Sequence, residues 1–329
     1  MKKRISLVLV PFISLLASCS NNIHEIEDYE IDIEYKDNFK ILQLTDLHFG
    51  TMSNMEEDFA FIDLSINESN PDLIVLTGDS FLMANKSIVN QTFDYFESKH
   101  INWTYIYGNH DEQGLYSSNY IDDVLHEIAQ KDNSYCLFKN FDDNVEGDSN
   151  FIINLKDNGS YKFQLFFLDS NSYQYLDYIG YDYIYQDQIE WYENAINNTT
   201  LKTGKLINSF MFIHIPLPEY VDAYNAYTLD PSIGSGENRE SPCVPKKNTG
   251  MFQKIKELDS TKAVFCGHDH INDSHILYEG IELCYGLKST DNIYHNTDMM
   301  GSTLITIHDI ENYRIDRLFH TYEELNHEV

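Results

Sequence analysis

The segment FKILQLTDLH, residues 39–48, joins a largely apolar run to two side chains that commonly bind metals. The run Phe39 to Leu44 has the composition of a buried strand, and Asp46 and His48 follow it directly. Open α/β sheets place their ligands at the carboxyl ends of strands. The segment therefore predicts an α/β fold with a functional site at the end of its first main strand.

Four later strands are predicted to end in similar polar motifs. They are Gly78-Asp79 after residues 73–77, Gly108-Asn109-His110-Asp111 after residues 103–107, His214 at the end of residues 210–214, and Gly267-His268-Asp269-His270 after residues 263–266. Helical patterns near residues 56–68 and 87–99 separate the first three strands, which indicates a βαβαβ order. We predict two mixed β-sheets flanked by helices, a four-layer α/β/β/α sandwich in a single domain from residue 39 to residue 320.

These motifs supply a set of side chains suited to two adjacent metal ions. Carboxylates neutralise cationic charge, imidazoles add borderline-soft donors, and a bridging carboxylate keeps two ions about 3.5 to 4 Å apart. Asp79 is the natural bridge. The predicted metal ligands are Asp46, His48, Asp79, Asn109, His214, His268 and His270.

The order of the motifs, Asp-x-His, Gly-Asp, Gly-Asn-His-Asp, His and Gly-His-x-His, resembles that of the calcineurin-like metallophosphoesterase superfamily. The resemblance extends from Phe39 to about His320. The stretches from His214 to Tyr220 and from Gly267 to Gly286 are similar to the small single-domain relatives of purple acid phosphatases. The resemblance implies the metallophosphoesterase fold.

Carried over residue by residue, the resemblance implies two metal shells that share one carboxylate. One ion is held by Asp46, His48, Asp79 and His270, and the other by Asp79, Asn109, His214 and His268. His110 would be the general acid that protonates the leaving oxygen, and Asp111 would orient it. The alternatives are that His110 only orients Asn109 and that Asp111 only shapes the turn.

The function implied by the resemblance is phosphate-ester hydrolysis by direct attack of a hydroxide shared between the two ions, without a covalent phosphoenzyme. A phosphomonoesterase acting on a small phosphoester is favoured by the segments similar to purple acid phosphatases. The alternatives are a phosphodiesterase for small or nucleotide substrates and a non-catalytic surface protein that binds metal or phosphate.

Purple acid phosphatases carry an iron-binding tyrosine three positions after the bridging Asp, whereas Leu82 stands there in this chain. The two divalent or mixed-valence ions are therefore Fe, Mn or Zn, without a ferric-phenolate colour.

Charge and the amino-terminal residues limit the partners. The formal net charge of -31 opposes binding to nucleic acid. Separately, we expect a monomer. Residues 1–19 have the pattern of a secretory signal, and Leu16-Ala17-Ser18-Cys19 resembles a bacterial lipobox. This predicts export, with lipid on Cys19 anchoring the protein to the outer face of a bacterial membrane. The alternative is a plain signal peptide that is cleaved nearby.

Other segments allow weaker predictions. Residues 20–38 form an acidic tether and a first strand, which pairs as a hairpin with the strand from Phe39, and residues 321–329 form a tail. The tyrosines from Tyr173 to Tyr185 could line a substrate cleft, although packing is the commoner role of such clusters. The sequence does not decide whether disulfides join Cys136, Cys243, Cys266 and Cys284.

Overall fold

The computed structural model describes residues 30–116, 119–139 and 145–326. The predicted signal peptide with Cys19, the first ten residues of the tether and the last three residues of the tail lie outside this description. Within the described ranges, no helix is both long enough and apolar enough to cross a membrane.

The elements of the described chain alternate between strands and helices. The strands are β1 (Glu30–Glu34), β2 (Phe39–Leu44), β3 (Leu73–Thr77), β4 (Asn102–Ile106), β5 (Phe151–Asp157), β6 (Ser160–Phe167), β7 (Tyr173–Gln174), β8 (Gly180–Tyr181), β9 (Ser209–Phe212), β10 (Gly234–Ser235), β11 (Thr261–Cys266), β12 (His275–Tyr278), β13 (Ile281–Tyr285), β14 (Gly301–Ile307) and β15 (Tyr313–Phe319). The helices are α1 (Met55–Ser69), α2 (Lys86–Ser98), α3 (Tyr120–Ala129), α4 (Gln186–Thr203), α5 (Glu219–Leu229) and α6 (Met251–Leu258).

Two large mixed sheets form the centre of the molecule. One has the order β15-β14-β2-β3-β4, and the other has the order β1-β5-β6-β9-β11-β13-β12-β10. Side chains of β9 alternate between two hydrophobic clusters: Phe210 and Phe212 pack between the sheets, whereas Met211 packs on the side of α4 and α6. Two stacked sheets with helices outside them confirm the predicted fold class.

Local sequence explains where some of the helices begin and end. The side chain of Asn85 caps α2 by accepting hydrogen bonds from the backbone N–H groups of Ser87 and Ile88. Asn70 ends α1 in the left-handed conformation, and its N–H donates to the carbonyl of Ile66. These helices connect β2, β3 and β4 as parallel neighbours, so the three strands end at the same edge of the sheet.

The predicted opening hairpin is wrong. Strand β1 pairs in parallel with β5, so that Glu30 lies opposite Ile152, whereas β2 lies between β14 and β3 in the other sheet. The alternation of apolar and polar residues in β1 indicates that one face is buried, but it does not specify the pairing partner. The link after Tyr35 crosses between sheets instead of turning back within one.

The thiols that the structure describes are not oxidised. Cys136, Cys266 and Cys284 are buried and free, and Cys243 is partly buried and free. Cys266 and Cys284 lie on adjacent strands of the eight-stranded sheet, in β11 and β13, but are not joined. The question of disulfides among these four residues is therefore answered by the geometry, which joins none of them.

Candidate metal centre

Two groups of buried ligand-type side chains lie side by side between the sheets. Each group has three side chains whose candidate ligand atoms lie within 4.8 Å of one another. The first group is Asp46, His48 and His270, and the second is Asp79, His214 and His268. Six of the seven predicted ligands are thus brought together from the ends of β2, β3, β9 and β11.

The first group forms a compact triangle of ligand atoms. His48 Nε2 and His270 Nε2 are 3.0 Å apart. Asp46 Oδ1 lies 3.3 Å from His270 Nε2 and 3.7 Å from His48 Nε2. The second oxygen of Asp46 is already used, because it accepts hydrogen bonds from the Thr45 hydroxyl at 2.8 Å and the His268 backbone N–H at 3.0 Å. Only Oδ1 is therefore free to face a cation.

Asp79 connects the two groups. Its Oδ2 atom is 3.3 Å from His214 Nε2 in the second group and 3.6 Å from His48 Nε2 in the first. Its Oδ1 atom accepts the backbone N–H of His110, the residue after Asn109, at 2.8 Å. The carboxylate has the position expected of a bridge.

Several atoms of this centre are buried without any hydrogen-bond partner among the described residues. They are Asp46 Oδ1, Asn109 Oδ1, His214 Nε2, His48 Nδ1 and both ring nitrogens of His268. A buried polar group without a partner costs about 1 to 3 kcal/mol, so a cluster of them is costly unless something binds there. Carboxylate, amide and imidazole atoms facing one small space suit a pair of transition-metal ions. The residues present therefore fit the dinuclear metal site that the sequence predicts.

Backbone carbonyls orient two of the imidazole rings. His214 Nδ1 lies 2.8 Å from the Thr77 carbonyl, and His270 Nδ1 lies 3.0 Å from the Tyr294 carbonyl. A carbonyl can only accept, so each Nδ1 carries the proton and each Nε2 presents its lone pair to the centre. Metal-binding histidines commonly have such a partner on the other ring nitrogen.

Electrostatics favour the cation-binding protonation states of Asp46, Asp79, His48 and His268, but not of His214. Burial alone would raise the pKa of Asp46 and Asp79, but the neighbouring histidines hold both pKa values below the usual range. Burial lowers the pKa of His48 to about 4 and, with help from His214, that of His268 to about 3. Asp79 outweighs burial at His214 and raises its pKa to about 10, so an ion that binds there would have to displace a proton from this ring.

Several of the proposed ligands have an uncommon backbone conformation. Four of the seven predicted ligands have a positive φ: Asp46 at 55°, His48 at 47°, Asp79 at 49° and His268 at 76°. Such conformations are uncommon for residues other than glycine and accumulate at functional sites. Gly78, with a φ of 85°, also permits close packing, because a Cβ there would lie 2.5 Å from His214 Nδ1.

The prediction that Asp111 orients His110 is wrong. The buried Asp111 carboxylate instead accepts three backbone N–H groups, from Gly108 at 2.7 Å, Phe81 at 2.8 Å and Asp79 at 2.9 Å. It joins the loops after β3 and β4, which is closer to the structural turn role held as the alternative. Burial, followed by the Asp79 carboxylate, raises the pKa of Asp111 to about 7.

Gln113 is the residue that orients His110. The Nε2 atom of Gln113 donates to the Asn109 carbonyl at 3.3 Å, which leaves its Oε1 to accept from His110 Nδ1 at 2.8 Å. The His110 ring lies 5.5 Å from the His48 ring, centroid to centroid, beside the first group.

Two further residues at the centre were not expected from the sequence. Lys288 is 1% exposed, and its Nζ donates to the backbone carbonyl of Asp46 at 2.6 Å. Tyr173 lies beside Asn109, whose Nδ2 donates to its hydroxyl at 2.9 Å. No motif marks Lys288, and Tyr173 belongs to the tyrosine cluster for which packing was the commoner expectation.

Comparison with known proteins is consistent with this geometry. A family model described as calcineurin-like phosphoesterase matches residues 39–272, which include all the predicted ligands. "Probable inactive purple acid phosphatase 14" of Arabidopsis thaliana is 28% identical, over 86% of this chain and 79% of its own length. "Phosphatase DCR2" of Saccharomyces cerevisiae is 30% identical over 75% of this chain, which spans about half of that protein (47%).

A solved structure shows the same fold. A dimetal phosphatase from Danio rerio superposes with a TM-score of 0.55 and 10% sequence identity, covering 83% of this chain and 93% of its own. At that identity, the likeness concerns the arrangement of sheets and helices.

Proposed function

The chain belongs to the calcineurin-like phosphoesterase family of metal-dependent phosphoester hydrolases, and from that membership we propose that it is a dinuclear phosphomonoesterase. The observation that carries the proposal is the position of Asp79 Oδ2, within 3.3 Å of His214 Nε2 and 3.6 Å of His48 Nε2. A carboxylate oxygen that reaches both groups is suited to link two ions about 3.5 to 4 Å apart, the separation used in two-metal hydrolysis.

The proposed ligand sets follow the two groups. One ion would be held by Asp46, His48, Asp79 and His270, and the other by Asp79, Asn109, His214 and His268, of which all but Asn109 belong to the two groups. When bound, the ions would supply Lewis-acid activation of water and of the phosphoryl group. Fe, Mn and Zn all accept such mixed carboxylate and imidazole ligands.

His110 is the proposed general acid. Its Nδ1 proton is committed to Gln113 Oε1, so its Nε2 is the atom that delivers a proton to the leaving oxygen. The ring is partly exposed, unlike the buried ligands, and lies at the side of the first group. This position allows contact with a substrate that approaches from solvent.

Preference for monoesters is supported by the resemblance to purple acid phosphatases in sequence and in the names of relatives. The test is hydrolysis of p-nitrophenyl phosphate and of bis-p-nitrophenyl phosphate by one metal-loaded preparation whose metal content is measured by elemental analysis. We expect two metal ions per chain and a kcat/KM for the monoester that is at least about tenfold higher. A higher kcat/KM for the diester would favour the phosphodiesterase alternative.

A second candidate function is metal or phosphate binding at the cell surface without turnover. It is favoured by the names of relatives, since "Probable inactive purple acid phosphatase 29" of Arabidopsis thaliana is 28% identical over 75% of this chain and 71% of its own length. Against it, this chain has the proposed acid His110 and its partner Gln113 in addition to the ligand set. Protein with two metals that hydrolyses no member of a panel of monoesters, diesters and nucleotides would support this candidate.

Export and lipid attachment complete the proposal. The signal-like residues 1–19 and the lipobox-like residues before Cys19 support an anchored protein at the outer face of a membrane. Mass spectrometry of the mature protein in its native host would detect an acylated amino-terminal Cys19. A Cys19→Ala variant should be released from the membrane fraction.

A further inference from the structure

A small tyrosine hairpin, strands β7 and β8, lies against the second metal group. Tyr173 and Tyr181 pair directly across it, and their rings are stacked, with centroids 5.7 Å apart and 29° between the planes. The Tyr181 ring meets the His268 ring at 4.4 Å, nearly at right angles. Tyr173 receives a hydrogen bond from Asn109 Nδ2. The hairpin therefore contacts two of the proposed ligands.

The hydroxyl of Tyr173 has a proton available for another group. Asn109 donates to the oxygen at 2.9 Å, so the phenol is the acceptor of that bond. Among the residues that the structure describes, Tyr173 makes no hydrogen bond as a donor. A phenol hydroxyl has one proton to donate in addition to its capacity to accept. The O–H group is therefore free to donate to a ligand from solvent.

Tyr173 and His110 lie close to each other beside the metal centre. Their ring centroids are 6.3 Å apart, and the His110 ring is 5.5 Å from that of His48. Both side chains are partly exposed, whereas the proposed ligands are buried. An anion from solvent can therefore contact these two rings beside the ligand atoms.

The geometry points to Tyr173 as a substrate-contacting residue that donates a hydrogen bond to an unesterified oxygen of the bound phosphoryl group. This inference rests on the proposed function. It adds an uncharged hydrogen-bond donor, the Tyr173 hydroxyl, to the groups that would contact the phosphoryl oxygens. Phosphoryl transfer develops charge on the equatorial oxygens, and a donor already held in position stabilises that charge. A monoester has three unesterified oxygens, enough to contact both ions and Tyr173, whereas a diester has two.

The test measures binding of inorganic phosphate to metal-loaded protein by calorimetry. Tyr173→Phe removes one oxygen and keeps the ring, so we expect phosphate binding to weaken by about tenfold or more, the scale of a hydrogen bond to a charged group. The metal content should stay at the wild-type value. Tyr175→Phe is the matched control, because Tyr175 is on the same hairpin, is 70% exposed and has no bond to a proposed ligand.

Two outcomes would overturn the inference. Equal phosphate affinity of wild type and Tyr173→Phe would show that the hydroxyl does not contact the anion. Loss of a metal ion from Tyr173→Phe would show that the hydroxyl only orients Asn109. If the variant fails to fold, wild-type protein with 3-fluorotyrosine at position 173 offers a ¹⁹F signal, which must shift on addition of phosphate.

Binding is measured without turnover, so the two proposals fail in different ways. Wild-type protein that binds phosphate but hydrolyses no phosphoester counts against the proposed function and leaves the role of Tyr173 measurable. A hydrolytically active wild type with unchanged phosphate affinity in Tyr173→Phe counts against Tyr173 alone.

Discussion

The two metal groups differ in how firmly the surrounding chain holds their side chains. In the first group, the His270 ring has a carbonyl partner and also stacks on the Tyr294 ring, with centroids 4.2 Å apart and 20° between the planes. Asp46 is held by two hydrogen bonds to one oxygen, and Lys288 binds its carbonyl. Two of the three side chains of the first group, Asp46 and His270, are therefore oriented by neighbours before any ion binds.

The second group depends more on what binds to it. His214 has a carbonyl partner, but both ring nitrogens of His268 are buried without one. The Asn109 amide is held by Tyr173, which belongs to a hairpin of two-residue strands whose tip is exposed. Oriented ligands lose less freedom on binding, so we expect the first group to hold its ion more tightly than the second.

Replacement of Asp79 should have the largest effect, because this side chain serves both groups. Asp79→Asn removes a negative charge from the position between the ions, and we expect activity to fall by about 10⁴-fold or more and both ions to be held weakly. Elemental analysis and hydrolysis of p-nitrophenyl phosphate measure the two effects. Asp94→Asn, the same change at an exposed position of α2, is the control. Loss of only one ion would contradict a bridging role.

Separate histidine replacements should distinguish the two groups. His270→Ala should remove the tighter step of metal binding, and His214→Ala the weaker step, each with about 10³-fold loss of activity. Titration of metal-free protein with Mn²⁺ or Zn²⁺ by calorimetry resolves the steps. His308→Ala, on the exposed surface, should bind both ions normally. The comparison of the groups fails if His214→Ala loses the tighter step.

Replacement of His110 should affect the chemical step without affecting metal binding. His110→Ala should slow hydrolysis of alkyl phosphates by about 10²-fold, because a poor leaving group needs its proton, and should slow p-nitrophenyl phosphate far less. Gln113→Ala should give a smaller effect with the same dependence on the leaving group, because Gln113 orients the ring. Kinetics on a series of esters with different leaving-group pKa values measures both variants. Equal slowing of all the esters would argue against an acid role.

Replacement of Asp111 should mainly reduce stability. In Asp111→Asn, an amide nitrogen replaces one of the oxygens that accept backbone N–H groups, which costs about 1 to 3 kcal/mol in the free energy of unfolding. Urea unfolding of the metal-free protein measures this loss, with the exposed Asp123→Asn as the control. We expect little change in how the rate of hydrolysis depends on the pKa of the leaving group. If that dependence does change, Asp111 acts on His110 after all.

The sequence alone was sufficient for the fold class and for the set of side chains at the centre. Buried strands appear as short apolar runs, and the polar motifs follow them directly, as Asp46 follows β2 and Asp79 follows β3. Because parallel strands end at one edge, this local information predicts convergence of side chains that are far apart along the chain. Six of the seven predicted ligands lie in the two groups, and Asn109 directly precedes His110, whose backbone N–H donates to the Asp79 carboxylate.

Tertiary structure alone decided which partner each polar side chain finds. Asp111 and Gln113 lie in one turn, and only the positions of Gly108 and Phe81 show that the first holds the loops while the second holds His110. Tyr173 reaches Asn109 from 64 positions away through a hairpin without a motif. Periodicity defines which face of an element is buried, but a hydrogen bond depends on distance and angle, which only the folded chain determines.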